Sequence, residues 1–183
     1  MDQKKIAKLI KSLLHEIEEN SGREGLKKTP ERVARSFEKI FGGYDKYPHE
    51  LMTKFDGESY DEMIICRNID FYSTCEHHLQ PFFGQVFIGY IPDGKIIGIS
   101  KLPRIVEIFS RRLQNQERLT MQIADTLNNM LRPRGVGVII KGRHFCMMAR
   151  GVEKQNSLMT TSACRGLFKN NAKTRSEFLK LIE

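Results

Sequence analysis

Two clusters of metal-binding side chains constrain this chain more than any other feature in it. The first is Cys75-Glu76-His77-His78, inside the stretch Ser73 to Phe82; the second is Arg143-His144-Phe145-Cys146-Met147. Cys75 and His78 are separated by two residues, a spacing that lets one tight turn aim a thiolate and an imidazole at a single ion, and zinc accepts that mixed pair. A closed structural zinc site takes four protein ligands, whereas a catalytic one keeps three and leaves a position to water. Cys66 and Cys164 are isolated, so the further ligand comes from the second cluster, where a strand would turn His144 and Cys146 to the same side. The residues alone therefore predict an open Cys/Cys/His or Cys/His/His zinc site, with the remaining histidines free for acid–base work. The competing reading is buried thiols and hydrogen-bonded core histidines. C-x-x-H by itself is a weak signal, and it is the second cluster that gives it weight.

A chain of 183 residues suits one domain able to bury a sizeable core without staples. No apolar run approaches membrane-spanning length and no charged-then-apolar leader opens the chain, so the expectation is neither a membrane span nor a signal peptide, and a cytoplasmic location. Four cysteines, two of them close to histidines, fit a reducing compartment and metal chemistry better than a disulfide framework. The formal charge of +8, from 30 Lys and Arg against 22 Asp and Glu, attracts polyanions. Its basic residues are spread without interleaved aromatics, which favours a local phosphate pocket over a nucleic-acid surface.

Periodicity predicts an amphipathic helix over residues 3–20, with Ile6, Leu9, Ile10, Leu13, Leu14 and Ile17 on one face. Thr29-Pro30 starts a second helix with Arg32 and Arg35 at i, i+3, which is a solvated face unless something recruits them. His15 and His49 read as surface and loop residues. Strands follow over Met63–Phe71, Phe82–Ile91 and Ile96–Gly98, placing the first cluster on a connection between strands. Ser100 is expected to cap a helix to about Arg112, gathering Ser100, Lys101 and Arg104 at an N-terminus that favours an anion. Gln116-Glu117 open a helix with Leu119, Ile123, Leu127 and Leu131 on its apolar side. Val136–Lys141 and Arg143–Ala149 read as paired strands and Leu158–Phe168 as a last one. A final helix carries the capping box Thr174-x-x-Glu177. Helices before, between and after antiparallel strands give an α+β class.

Cys75-Glu76-His77-His78, Gly98-Ile99-Ser100-Lys101-Leu102-Pro103-Arg104-Ile105, Gln116-Glu117-Arg118-Leu119-Thr120, His144-Phe145-Cys146 and Ala149-Arg150-Gly151 closely resemble GTP cyclohydrolase I in order and spacing, from about Gly25 onward. Five motifs in register are far more specific than any one. The resemblance implies the tunnelling fold, an antiparallel four-stranded sheet with helices packed on one side, preceded by an N-terminal helical segment. It divides a single catalytic domain, 1–183, into that segment (1–57) and the core (58–183). It also implies a homo-oligomer, a decamer of two stacked pentamers with active sites at subunit contacts.

The same resemblance implies zinc held by Cys75, His78 and Cys146, with His77 as the acid that protonates guanine N7 and His144 transferring protons during ring opening and formate loss. Ser100, Lys101, Arg104 and Arg150, with the more distant Arg32 and Arg35, would hold the triphosphate of GTP; Glu117 would bind the guanine end, where a carboxylate matches the two donors of N1–H and the 2-amino group, and Gln116 would be a further substrate contact. The implied reaction is hydrolytic opening of GTP at C8, releasing formate and forming 7,8-dihydroneopterin triphosphate. Glu76 is either a partner that orients a histidine or a solvent-facing carboxylate, and Cys66 and Cys164 read as small core side chains. Among rivals, a zinc nucleobase deaminase would carry H-x-E and P-C-x-x-C, which are absent. The nitrile reductase of the same fold needs no zinc triad. Another zinc-dependent purine or pterin hydrolase on this fold, and a basic zinc module binding nucleic acid, are the alternatives.

Overall fold

The computed structural model describes residues 1–51, 53–57 and 59–183. Residues 52 and 58, the latter being where the resemblance starts the core, lie outside the described residues. The chain forms two compact units, Met1–Gly42 and Gly43–Glu183, so residues after Gly42 pack with the second unit. Gly43 N–H, for example, donates to Arg111 O at 3.0 Å.

The first unit holds α1 (Gln3–Ile17) and α2 (Thr29–Ile40). Asp2 caps α1 by accepting from Lys5 N–H. Thr29 does not cap α2; it is already helical, and its hydroxyl donates to Gly25 O at 3.3 Å. Of the apolar stripe on α1, Leu9, Leu13 and Ile17 stay exposed within the chain.

The second unit runs β1 (Lys54–Asp56), β2 (Ile64–Cys75), β3 (Pro81–Ile91), β4 (Lys95–Ile97), α3 (Lys101–Ser110), β5 (Leu113–Gln114), α4 (Gln116–Leu131), β6 (Gly135–His144), α5 (Phe145–Met148), β7 (Met159–Gly166), α6 (Leu167–Asn170) and α7 (Ala172–Leu181). Four long strands form an antiparallel meander in the order β2-β3-β6-β7; the two-residue β5 adds a parallel edge beside the end of β2, and β1 pairs with β4 in a separate ribbon. Side chains alternate across such strands. Val86, Ile88 and Tyr90 of β3 with Val136, Val138 and Ile140 of β6 face one core, under α3 and α4, which supply Leu102, Ile105, Val106, Leu119, Ile123 and Leu127. The long helices thus lie on one side, as the α+β reading expects.

On the opposite face, α6 and α7 cover the far end of the sheet. Gly89 and Gly137, paired in register, allow this: a Cβ on Gly137 would meet Phe168 at 2.5 Å, and one on Gly89 would meet Phe178 at 2.8 Å. The two phenylalanines, in edge-to-face contact at 5.2 Å, lie directly on the strand backbones. Phe178 is 1% exposed, so Phe178→Ala should destabilise the fold by about 3–5 kcal/mol in equilibrium denaturation. A loss below about 1 kcal/mol would show that this second layer closes over the gap.

Local corrections follow from neighbouring chain. The final helix begins at Ala172 because Asn171 accepts from the N–H groups of Lys173 and Thr174; Thr174 and Glu177 therefore sit inside the helix and form no capping box. Ser100 makes no side-chain capping bond to α3. Of the expected strand Arg143–Ala149 only Arg143 and His144 are extended, as the end of β6. The β3 ladder ends at Phe82↔His144 and the β7 ladder at Gly142↔Met159, so beyond His144 β6 has lost both neighbours and the chain coils into the single turn of α5.

Candidate functional site

The first cluster is the turn that joins β2 to β3. Cys75 closes it twice, its N–H donating to Gln80 O and its carbonyl accepting from Leu79 N–H, both at 2.8 Å, and Leu79 adopts a left-handed φ of 54° to complete the reversal. Glu76 N–H donates to Gln114 O on β5 at 2.9 Å, anchoring the turn to a neighbouring edge. The second cluster arrives from β6, whose last pair sets His144 opposite Phe82. Their rings stack at 4.7 Å and 6°. The turn of α5 then carries Cys146 to the same place, so the two cysteines and His78 meet through a change of backbone direction and not along one strand face.

Cys75 Sγ, a His78 ring nitrogen and Cys146 Sγ all lie within 4.8 Å of one another. This group fits zinc. With zinc–sulfur and zinc–nitrogen bonds of about 2.3 Å and about 2.0–2.1 Å, tetrahedral geometry sets sulfur and nitrogen about 3.5 Å apart; Cys75 Sγ and His78 Nδ1 are 3.6 Å apart. Burial and the adjacent Cys75 push the Cys146 thiol up, while Arg150 nearby pulls it down. Two thiolates held side by side are costly alone, and a dication relieves that cost.

His77 is not one of the triad; its side chain is exposed and its Nε2 is 3.8 Å from Glu76 Oε1. Glu76 is no solvent-facing carboxylate: it is ion-paired to Arg118 and accepts from Asn115 Nδ2 at 3.1 Å. The Arg118 hydrogen bond in particular holds its carboxyl below the usual carboxylate range. Arg118 in turn is held by Gln114 Oε1 at 2.9 Å. This Glu76–Arg118–Gln114 network was not assigned from sequence, since it joins the turn after β2, β5 and the first turn of α4, which meet only in the fold.

His144 is half-buried, and that burial lowers its pKa against the opposing pull of Glu117, whose carboxylate is exposed in the first turn of α4. Gln116, by contrast, is 1% exposed. Ser100, Lys101 and Arg104 gather at the N-terminal end of α3, and Arg150 lies exposed just after α5. Arg32 and Arg35 belong to the first unit, where they line a surface concavity with Lys27, Lys28 and Glu31. Cys66 and Cys164 each pack against a core cluster, and burial raises both thiols, as expected of inert core cysteines. All four cysteines are free. No helix among the described residues is long and apolar enough to cross a membrane.

The structure thus presents an α+β chain with a Cys/His/Cys group able to hold a metal ion, and with Ser100, Lys101 and Arg104 at a helix N-terminus, where an anion is favoured. The profile of the family described as GTP cyclohydrolase I matches residues 6–183. The chain is 56% identical over 174 residues to the GTP cyclohydrolase 1 of Chlorobaculum tepidum, covering 94% of this chain and 78% of that protein. It is 54% identical over 182 residues to that of Wolinella succinogenes, covering 98% and 97%. With the GTP cyclohydrolase 1 of Campylobacter jejuni serotype O:23/36 it shares 51% over 181 residues, 98% and 95% of the two chains. The chain belongs to the GTP cyclohydrolase I family, and its α+β fold is that family's tunnelling fold.

Proposed function

We propose that Cys75, His78 and Cys146 hold a catalytic zinc ion with which this GTP cyclohydrolase opens the imidazole ring of GTP. The observation that carries this is the convergence of the three ligand atoms within 4.8 Å while His77 and His144 stay outside the group. Overall, GTP and one water yield formate and 7,8-dihydroneopterin triphosphate: C8 leaves as formate, and the ribose carbons rearrange and close the pterin ring. Bound zinc supplies Lewis-acid activation of water near neutral pH. The residues of the chain supply the rest. His77 delivers a proton to N7, which makes C8 electrophilic; His144 transfers protons as the ring opens and formate departs. Glu76, immobilised by Arg118 and Asn115, orients His77. The direct test is incubation with GTP while following formate and pterin fluorescence, with and without a chelator: both products should appear and the chelator should stop them. Strong, salt-dependent DNA binding with no GTP turnover would instead favour the basic zinc module.

Glu117 reads the guanine edge, and Lys101, Arg104, Arg150 and Ser100 hold the triphosphate, with Arg32 and Arg35 of another copy of the chain adding positive charge. Hydrogen bonds to charged groups contribute roughly 1.5–3 kcal/mol, so Arg150→Ala should weaken GTP about ten- to a hundredfold with base preference intact. Glu117→Ala should abolish preference for GTP over ATP. The comparison of GTP and ATP affinities decides it: altered base preference in Arg150→Ala, or an intact one in Glu117→Ala, places the two ends of the site wrongly.

The whole chain acts as one catalytic domain in a decamer of two pentamers, in the cytoplasm, where four free thiols persist. Supporting the assembly, the outer edge of β7 has no strand partner among the described residues and β2 has only the two residues of β5, so copies can continue the sheet edge to edge. Light scattering should return about ten times the 21.2 kDa chain mass; a monomer would refute this part.

A further inference from the structure

We infer that Gln116 is a positioning residue that fixes the ring orientation and tautomer of His144 by accepting its Nε2–H, leaving Nδ1 as the nitrogen that meets the substrate. The inference rests on the acid–base role proposed for His144, and it changes the part expected for Gln116, which the sequence resemblance makes a substrate contact.

The amide of Gln116 is buried and its polar atoms are all engaged. Nε2 faces three acceptors: Ile140 O at 3.1 Å, Met159 O at 3.0 Å and Thr161 Oγ1 at 3.1 Å. Two of these are carbonyl oxygens, which only accept, so the nitrogen of the amide must be on that side and the oxygen on the other. Oε1 then lies 2.9 Å from His144 Nε2. An amide oxygen has no proton to give; this contact is a hydrogen bond only if the imidazole Nε2 carries one. Both the neutral Nε2–H tautomer and the imidazolium satisfy it, and the Nδ1–H tautomer does not. Among the described residues no hydrogen bond to His144 Nδ1 is found.

The surroundings lock this arrangement. Thr120 Oγ1 donates to Gln116 O at 2.6 Å, so the Thr120–Thr161 contact of 2.7 Å takes its proton from Thr161, and Thr161 in turn accepts from Gln116 Nε2. Each hydroxyl proton has one place to go. Phe82 clamps the imidazole face from across the strand pair. Gly142 leaves the space the amide oxygen occupies, since a Cβ there would meet Gln116 Oε1 at 2.3 Å. Such outer hydrogen bonds commonly decide which ring nitrogen of a working histidine is free.

Solid-state nitrogen NMR of the histidine-labelled zinc protein, with His144 assigned by difference against His144→Gln, reads the tautomer directly. Neutral His144 should show a protonated Nε2 and a bare Nδ1; the reverse tautomer in the wild type overturns the inference. Gln116→Leu should lose the tautomer preference and lower kcat about ten- to a hundredfold, as a misplaced catalytic group does, with KM for GTP and zinc content unchanged. Gly142→Ala, which keeps Gln116 but pushes its oxygen aside, should show the same split and serves if Gln116→Leu does not fold. A raised KM with wild-type kcat would make Gln116 a substrate contact and sink the inference, as would wild-type kcat in both variants. Unimpaired turnover by His144→Ala would instead remove the acid–base reading itself, which the wild-type spectrum leaves untouched.

Discussion

Cys75→Ser, His78→Ala and Cys146→Ser should each lose most of their zinc and at least about a thousandfold of their GTP turnover, because activation of water by the ion contributes several kcal/mol and a three-ligand site cannot spare one ligand. The cost should be similar for the three, since their ligand atoms share one point in space although they come from a turn and from the helical turn beyond β6. Metal analysis of purified variants beside formate release is the measurement. Cys146→Ser with full zinc would show that His144 supplies the third ligand and that the two residues exchange roles.

The second large effect separates acid–base groups from ligands. His77→Ala and His144→Ala should retain zinc and bind GTP, yet each should lose about 10²–10⁴-fold in turnover, the usual worth of a positioned proton donor or acceptor. They should fail at different stages. His77→Ala should leave GTP unchanged, while His144→Ala should stall later and accumulate a ring-opened product that still holds its formyl carbon. Single-turnover analysis by chromatography distinguishes them; loss of metal from His77→Ala would mean that this side chain, and not a proton, is what the centre needs.

Much of the metal group was legible because its donors are rare residue types at a diagnostic spacing. Its third member was not settled by spacing: with both His144 and Cys146 in reach, the residues alone admitted either. The structure separates them through ladder geometry. His144 is the last paired residue of β6, pinned under Phe82, and only the coil after it lets Cys146 turn towards Cys75. Strand periodicity could not foresee this, because where a strand stops depends on where its partners stop.

The positions of the long strands along the chain and the inward faces of α3 and α4 followed from apolar alternation and 3.6-residue periodicity. The covering of the second face by α6 and α7 did not, since it depends on two glycines, Gly89 and Gly137, that oppose each other only once the register is known. Polar networks were the least legible. Gln114, Gln116 and Thr120 are each about 1% exposed, and nothing in a polar side chain's identity tells whether it faces water or a buried carbonyl. Glu76, which the residues left between two roles, is placed by an arginine that comes 42 positions later.

The central claim is that two cysteines and one histidine hold the metal while His144 stays free for proton transfer. X-ray absorption at the zinc edge of the purified protein tests it most directly, because sulfur and nitrogen neighbours scatter differently and can be counted. Two sulfur and two nitrogen or oxygen neighbours per zinc, the latter being His78 and a solvent oxygen, is the result expected from the Cys75, His78 and Cys146 group. One sulfur with three nitrogen or oxygen neighbours, unchanged in Cys146→Ser, would contradict it.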